Sequence, residues 1–204
     1  MEDNLKLLLE IDQELDSAEV KSLKFLCSDV IGRKPLETVI DAQVLFKRLS
    51  EQGKMDDMSF LEELLYTINR FDLLRRFKKS RQQVETAVQS NPHLSTYRKM
   101  LFDIAEDMTS EKLASMKFLV NLPRGKVEAS ATALDVLTEM EKQQMLTEDN
   151  VEELQQILEK CDITLASKVE KYKQTKSEVG KLRTGDDMQP AEPFYVVNLP
   201  PEPM

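Results

Sequence analysis

Tryptophan is absent from this 204-residue chain, histidine occurs once, cysteine twice and glycine five times. Each scarcity removes a class of function. The single imidazole, His93, sits in Asn91-Pro92-His93-Leu94, and the two thiols sit in Leu26-Cys27-Ser28 and Lys160-Cys161-Asp162. None of these matches a cysteine-protease signature, and together they lack the clustered His and Cys ligands of a zinc site. Five scattered glycines supply no loop that could cradle a phosphate. The chain therefore reads as non-enzymatic, with no catalytic residue, no metal site and no cofactor. No apolar run approaches the roughly 18 residues that span a bilayer, so membrane insertion is not expected. The start, Met1-Glu2-Asp3-Asn4, lacks the positive charge of a signal peptide. Reduced thiols in the cytoplasm or the nucleus are the expectation. A net charge of −9 argues against general nucleic-acid binding, which needs a basic face, and leaves only a local basic patch open.

What is present is a helix-forming composition, 41% hydrophobic and 32% charged, organised around a stretch that occurs twice. Ser22-Leu23-Lys24-Phe25-Leu26 returns as Ser115-Met116-Lys117-Phe118-Leu119. Glu10-Ile11 and Leu15-Asp16-Ser17 return as Asp103-Ile104 and Met108-Thr109-Ser110 at the same offset, 93 residues, that separates Phe25 from Phe118. A duplicated domain follows. At about 100° per residue, Val20, Leu23, Leu26, Cys27 and Val30 share one apolar stripe, and Phe25 falls about 200° from Leu23, on the polar side. Leu113, Met116, Leu119 and Val120 repeat that stripe, and Phe118 again lies outside it. Two misplaced rings at equivalent positions suggest aromatics aimed at another surface; a ring half-covered by a neighbouring loop is the alternative.

Apolar spacing and caps place helices at 4–15, 18–31, 41–53, 56–68 and 71–77, with a short, weakly patterned segment at 36–40 between the second and third of these. A connecting helix, 80–88, ends at Ser90-Asn91-Pro92. The second half repeats the order at 96–108, 110–121, 131–144, 149–161 and 165–177, its short third segment around Leu122-Pro123-Arg124-Gly125 being weak or missing. Beyond Gly180 the spaced prolines cannot continue a helix, so 178–204 reads as a disordered tail, in which Phe194-Tyr195-Val196-Val197 is either a docking motif or plain linker. Charge is sorted within the first half: Asp56, Asp57, Glu62 and Glu63 precede a ridge of Arg70, Arg75, Arg76, Lys78, Lys79 and Arg81. Either these charges merely suit the helix dipoles, or Arg70 and Asp72 pair with an acid on the second helix, Glu19, and orient a face for a partner.

Several of these pieces carry a family resemblance. Leu23-Lys24-Phe25-Leu26, Glu63-Leu64-Leu65-Tyr66, Arg70-Phe71-Asp72-Leu73-Leu74, Asn91-Pro92-His93-Leu94, Met116-Lys117-Phe118-Leu119 and Lys171-Tyr172-Lys173-Gln174 resemble, in order and spacing, the tandem death effector domains of caspase-8, caspase-10 and the FLICE-inhibitory protein (FLIP). The resemblance implies an all-α protein of two death-fold six-helix antiparallel bundles packed in tandem, with domains at 1–79 and 95–177 joined by a linker at 80–94. It implies homotypic binding to the adaptor FADD and to procaspase-8 or procaspase-10 death effector domains, self-association into filaments, and a part in death-receptor apoptosis. Carried over, the partner-binding residues are Phe118, Leu119, Glu19, Arg70, Asp72 and Leu73, while Phe25 and Leu26 belong to the contact between the two domains. Aligned through Lys168-Val169-Glu170, the second half has Asp162-Ile163-Thr164-Leu165 where Arg-x-Asp-Leu would stand, so its charge triad is expected to be missing. A chain ending at Met204 carries no caspase catalytic residues; the alternative identity is the prodomain or a truncated isoform of an initiator caspase.

Overall fold

The computed structural model describes residues 2–184, all of them in helices, turns and loops apart from one isolated bridge between Thr147 and Asn150. Residues 1–172 form one compact unit. The first helix, α1 (Glu2–Glu14), is followed by α2 (Ser17–Leu26). Asp16 accepts from the Glu19 N–H and Glu19 returns a bond to the Asp16 N–H, both 2.8 Å, a capping box that fixes where α2 begins. The expected continuation to residue 31 is broken at Cys27, whose ψ of 0° leaves the helical range, and a single turn, α3 (Ser28–Ile31), resumes beyond it. Gly32, at φ +80°, then turns the chain into α4 (Arg33–Glu37), the weakly patterned third segment.

Asp41 caps α5 (Ala42–Glu51) through a 2.9 Å bond from the Val44 N–H. Helix α6 (Ser59–Thr67) starts where the Asp57 carboxylate accepts from Ser59 N–H, and α7 (Phe71–Leu74) tightens into a 3-10 turn at Arg75–Phe77. With α2 and α3 counted as one broken helix, six helices close the first bundle around Leu23, Leu45, Phe60, Leu61, Leu64 and Leu65. The connector α8 (Arg81–Ser90) begins in a Ser80/Gln83 capping box and buries Val84 against the bundle.

The second bundle repeats the plan as α9 (Thr96–Glu106), α10 (Ser110–Leu119), α11 (Arg124–Ala129), α12 (Ala133–Lys142), α13 (Glu152–Cys161) and α14 (Ile163–Thr184). Two expectations need correcting. The short third segment is present: α11 opens straight after Pro123, whose ring has no N–H to leave unpaired. And the last helix runs to Thr184, past the expected domain end at 177, because no proline interrupts it before Pro190. The unit that begins at residue 173 is helical over 173–184; the tail beyond it, with Phe194-Tyr195-Val196-Val197, lies outside the described residues.

Candidate protein-interaction surfaces

The loop between α6 and α7 delivers Arg70 to the foot of α2, where one guanidinium gathers three groups. Its Nη1 donates to both carboxylate oxygens of Glu19 at 2.9 Å and to the Glu14 carbonyl at 2.7 Å, while Nε and Nη2 donate to Asp72 at 2.9 and 2.8 Å. The bidentate bonds from Arg70 hold the Asp72 carboxyl at about 2, well below its ordinary value, and in return raise the guanidinium further. Glu19 thus caps its own helix and anchors the last one. Asp72 keeps most of its side chain in water, so the triad presents charge outward while bracing α2. Leu73 does not: at 1% exposure it belongs to the core, and the expectation that it meets a partner is corrected, since its side chain turns inward as the apolar anchor of α7. Much of the basic ridge is also taken up, with Arg76 on Glu10 and Glu14, Lys79 on Glu62, and Arg81 stacked 4.2 Å over the Phe71 ring.

The two repeated phenylalanines part company. Phe118, on α10, is 88% exposed, with Leu119 half-buried beside it. Phe25, its counterpart on α2, is 6% exposed, lying beneath the Arg98 guanidinium of α9 at 4.7 Å from the ring centroid. Leu26 is buried too, in the apolar core. Helix α2 packs on α9 and α12, the first and fourth helices of the second bundle.

That seam is more ionic than the sequence suggested. Arg98, 3% exposed, bonds Asp29 from the first bundle and Glu141 from α12, the latter through Nη1 and Nη2 at 3.1 and 3.0 Å, and Tyr97 donates its hydroxyl to the same Glu141 at 2.9 Å. Burial alone would lower the guanidinium; its bonds to Asp29 and Glu141 outweigh that and raise it. Lys21 adds a 2.7 Å bridge to Asp135. On the connector side, fully buried Glu63 accepts from the His93 N–H at 2.6 Å and from Lys99 at 2.5 Å. Nothing in the sequence pattern marked Arg98, because its acids, Asp29 and Glu141, lie far from it along the chain.

In the second bundle the Arg70 arrangement has no copy, but its place is filled. Lys112, 93 residues on from Glu19, pairs with Asp162 at the start of α14, and this bond holds the Asp162 carboxyl well below its ordinary value. A groove of about 790 Å³ lies between α1 and α5, lined by Leu5, Leu8, Leu9, Phe46, Lys47 and Ser50, with Leu5 and Leu9 exposed. Among the described residues no group of His, Cys, Asp and Glu is placed to hold a metal ion. His93 shares a 2.8 Å bond with Ser59, and burial pushes the Cys27 thiol far up, away from the thiolate a nucleophile needs. Among the described residues no helix is long and apolar enough to cross a membrane.

Residues 5–83 and 97–175 each match the family described as Death effector domain. Mouse caspase-8 is 40% identical over 178 residues, which cover 84% of this chain and 37% of that protein. Mouse CASP8 and FADD-like apoptosis regulator is 34% identical over 179 residues, 83% of this chain and 36% of the other. The chain thus spans a little over a third of the curated relatives it matches. The crystal structure of a viral FLIP, MC159, superposes with a TM-score of 0.74 at 26% identity, covering 85% of this chain and 98% of the viral one.

Proposed function

We propose, from the premise that the chain belongs to the death effector domain family and carries that domain twice, that it regulates death-receptor apoptosis without enzymatic activity, by homotypic binding to a FADD-like adaptor and to procaspase-8- or procaspase-10-like death effector domains. The observation that carries this is the split between the repeated rings: the fold covers Phe25 and leaves Phe118 on the outside, beside the half-buried Leu119. An exposed phenylalanine on a soluble helix is an anchor for a partner's apolar pocket. The groove between α1 and α5 is such a pocket, and a related domain would offer the same one. On a separate charged face, Glu19, Arg70 and Asp72 set register and orientation more than affinity. Knob and groove lie on different faces, so each contact is heterologous and self-association can extend into filaments. Cytoplasm or nucleus is the proposed location, without nucleic acid or membrane insertion. In a reconstitution with purified FADD and procaspase-8 death effector domains, the native chain is expected to join or alter filament growth and the Phe118→Ala variant, folded but blunt, to do neither. A Phe118→Ala chain that co-assembles normally overturns the reading.

The extent of the match to caspase-8 favours a second reading, the prodomain or truncated isoform of an initiator caspase. A transcript extending past Met204 into a Gln-Ala-Cys-type signature supports it; a stop codon there in every transcript removes it.

A further inference from the structure

The seam between the bundles borders a cleft that homotypic binding does not use. Helices α2 and α4 of the first bundle and α12 of the second wall a space of about 220 Å³. Its floor is apolar, made of the buried side chains of Phe25, Leu36 and Leu134. Two ties cross the seam at its edges, Lys21 to Asp135 at 2.7 Å and Arg33 Nη2 to the Glu141 carbonyl at 3.2 Å. They meet α12 about 9 Å apart along its axis, with Thr138 between them. At roughly 30 Å³ for each water-sized group, the space takes about seven, the size of a short fatty chain.

The charges around that floor do not balance. Asp135 is matched by Lys21, and Glu141 by Arg98. Thr138 and Ser28 donate their hydroxyl protons to the Leu134 and Phe25 carbonyls, at 2.7 and 2.8 Å, and have no proton left for a ligand. What remains is Lys24, Arg33 and Lys142 against one acid, Glu37. Among the described residues none of these three cations forms an ion pair, and the Lys24 ammonium donates instead to the Val39 carbonyl at 2.7 Å. Burial pushes that ammonium down, and the pull of Glu37 does not offset it. A purely apolar ligand would leave these charges bare, and a small hydrophilic anion would leave the floor in water. An anionic head on a hydrocarbon tail answers both.

We propose that this cleft binds a free fatty carboxylate of medium chain length, its tail over Phe25, Leu36 and Leu134 and its head on Lys24, with Arg33 and Lys142 supplying the surrounding positive field. The pairing of an apolar floor with three cations that the fold leaves without carboxylates is what commits the site to this occupant. Because the walls come from both bundles, the bound ligand adds contacts across the seam and stabilises the tandem in proportion to its occupancy. Phe118 lies elsewhere, on α10, so the site stands or falls apart from the homotypic reading.

Octanoate is the probe, with 1-octanol, octylammonium and acetate as its uncharged, cationic and tailless counterparts. Calorimetric titration of the full chain is expected to give octanoate a dissociation constant of about 0.1–1 mM, octanol one about tenfold weaker, and the other two no binding. At about tenfold excess over its dissociation constant, octanoate should raise Tm by about 3–5 °C. Lys24→Met, with circular dichroism as fold control, should weaken octanoate to the level of octanol and leave octanol unchanged. A second measurement needs no variant: octanoate should shield Lys24 from acylation by acetic anhydride, read by peptide mass spectrometry, and leave Lys47, in the α1–α5 groove, as reactive as before. Octanoate that does not bind, binds no better than octanol, binds Lys24→Met undiminished, or shields Lys47 rather than Lys24 overturns the assignment.

Discussion

In the first bundle the second and sixth helices are joined by an acid on the second and a base on the sixth, Glu19 to Arg70; in the other bundle Lys112 and Asp162 join them with the signs reversed. The neighbouring seam between the first and sixth helices keeps its sign: Arg76 reaches Glu10 and Glu14, and Lys168 reaches the Asp103 carbonyl and Asp107, each acid 93 residues from its counterpart. The fold therefore needs an ion pair across the second seam without specifying its direction. A direction the fold leaves free is available for recognition. The outward group differs accordingly, a mostly exposed Asp72 carboxylate in one bundle and the exposed, uncharged Thr164 at the aligned position of the other, so the two faces suit different partners.

The sharpest break of the comparison is at the inner seam, which only one bundle forms with each face. Arg98→Met leaves Glu141 and part of Asp29 without a cation in a buried site and should cost about 3–5 kcal/mol in urea unfolding. Phe25→Ala should cost about 3–4 kcal/mol by the same measurement, because it opens a cavity under that guanidinium. Phe118→Ala, on a ring already in water, should stay within about 0.5 kcal/mol while losing partner recruitment in a pull-down. Equal destabilisation by the two Phe variants would erase the distinction between them. A smaller effect sharpens the sign argument: Glu19→Lys or Arg70→Asp alone should each cost about 1 kcal/mol, and the pair together should recover most of it, recreating the polarity of Lys112 and Asp162. Recovered stability without recovered partner binding is the expected outcome, read by thermal melts and the pull-down in parallel. A double variant no more stable than the sum of its singles would mean that the fold does specify direction.

Much of this was legible beforehand because it was local. The offset of 93 residues, the caps at Asp16 and Asp41, and the two rings off their stripes are patterns legible in the sequence, and the structure keeps them. The break at Cys27 was not legible, since the apolar stripe runs through it to Val30, while in the fold α3 packs on α5, a helix distant in the sequence pattern. Leu73 was misplaced for a related reason: a motif names four neighbouring residues, but a helix turns about 100° between them, so Asp72 and Leu73 face opposite media. Arg98 was missed because a charged residue on an apolar face declares itself only through its acids, Asp29 and Glu141, which lie 69 and 43 residues away. Long-range ion pairs have no period to read.

The smallest effect, and the one most particular to the first bundle, is in acid. Asp72 is held at about 2 when folded, below its ordinary carboxylate value, so its bond to Arg70 contributes stability that is complete above the ordinary value and fades as pH falls through the folded one. Between about pH 4 and about pH 2 the native protein should lose this contribution progressively, and Arg70→Met, having none to lose, should show a flatter stability curve across that window. Most of the Asp72 side chain is in water, so the difference in slope will be modest, best read from paired titrations at low salt. Asp162 is also depressed, through Lys112, so Lys112→Met should flatten the same window from the other bundle. Similar flattening by the two variants would show that the seams are equivalent in strength although opposite in sign, whereas a dependence confined to Arg70→Met would show that the bidentate geometry of the guanidinium, which a lysine cannot copy, is what sets the first bundle's face apart.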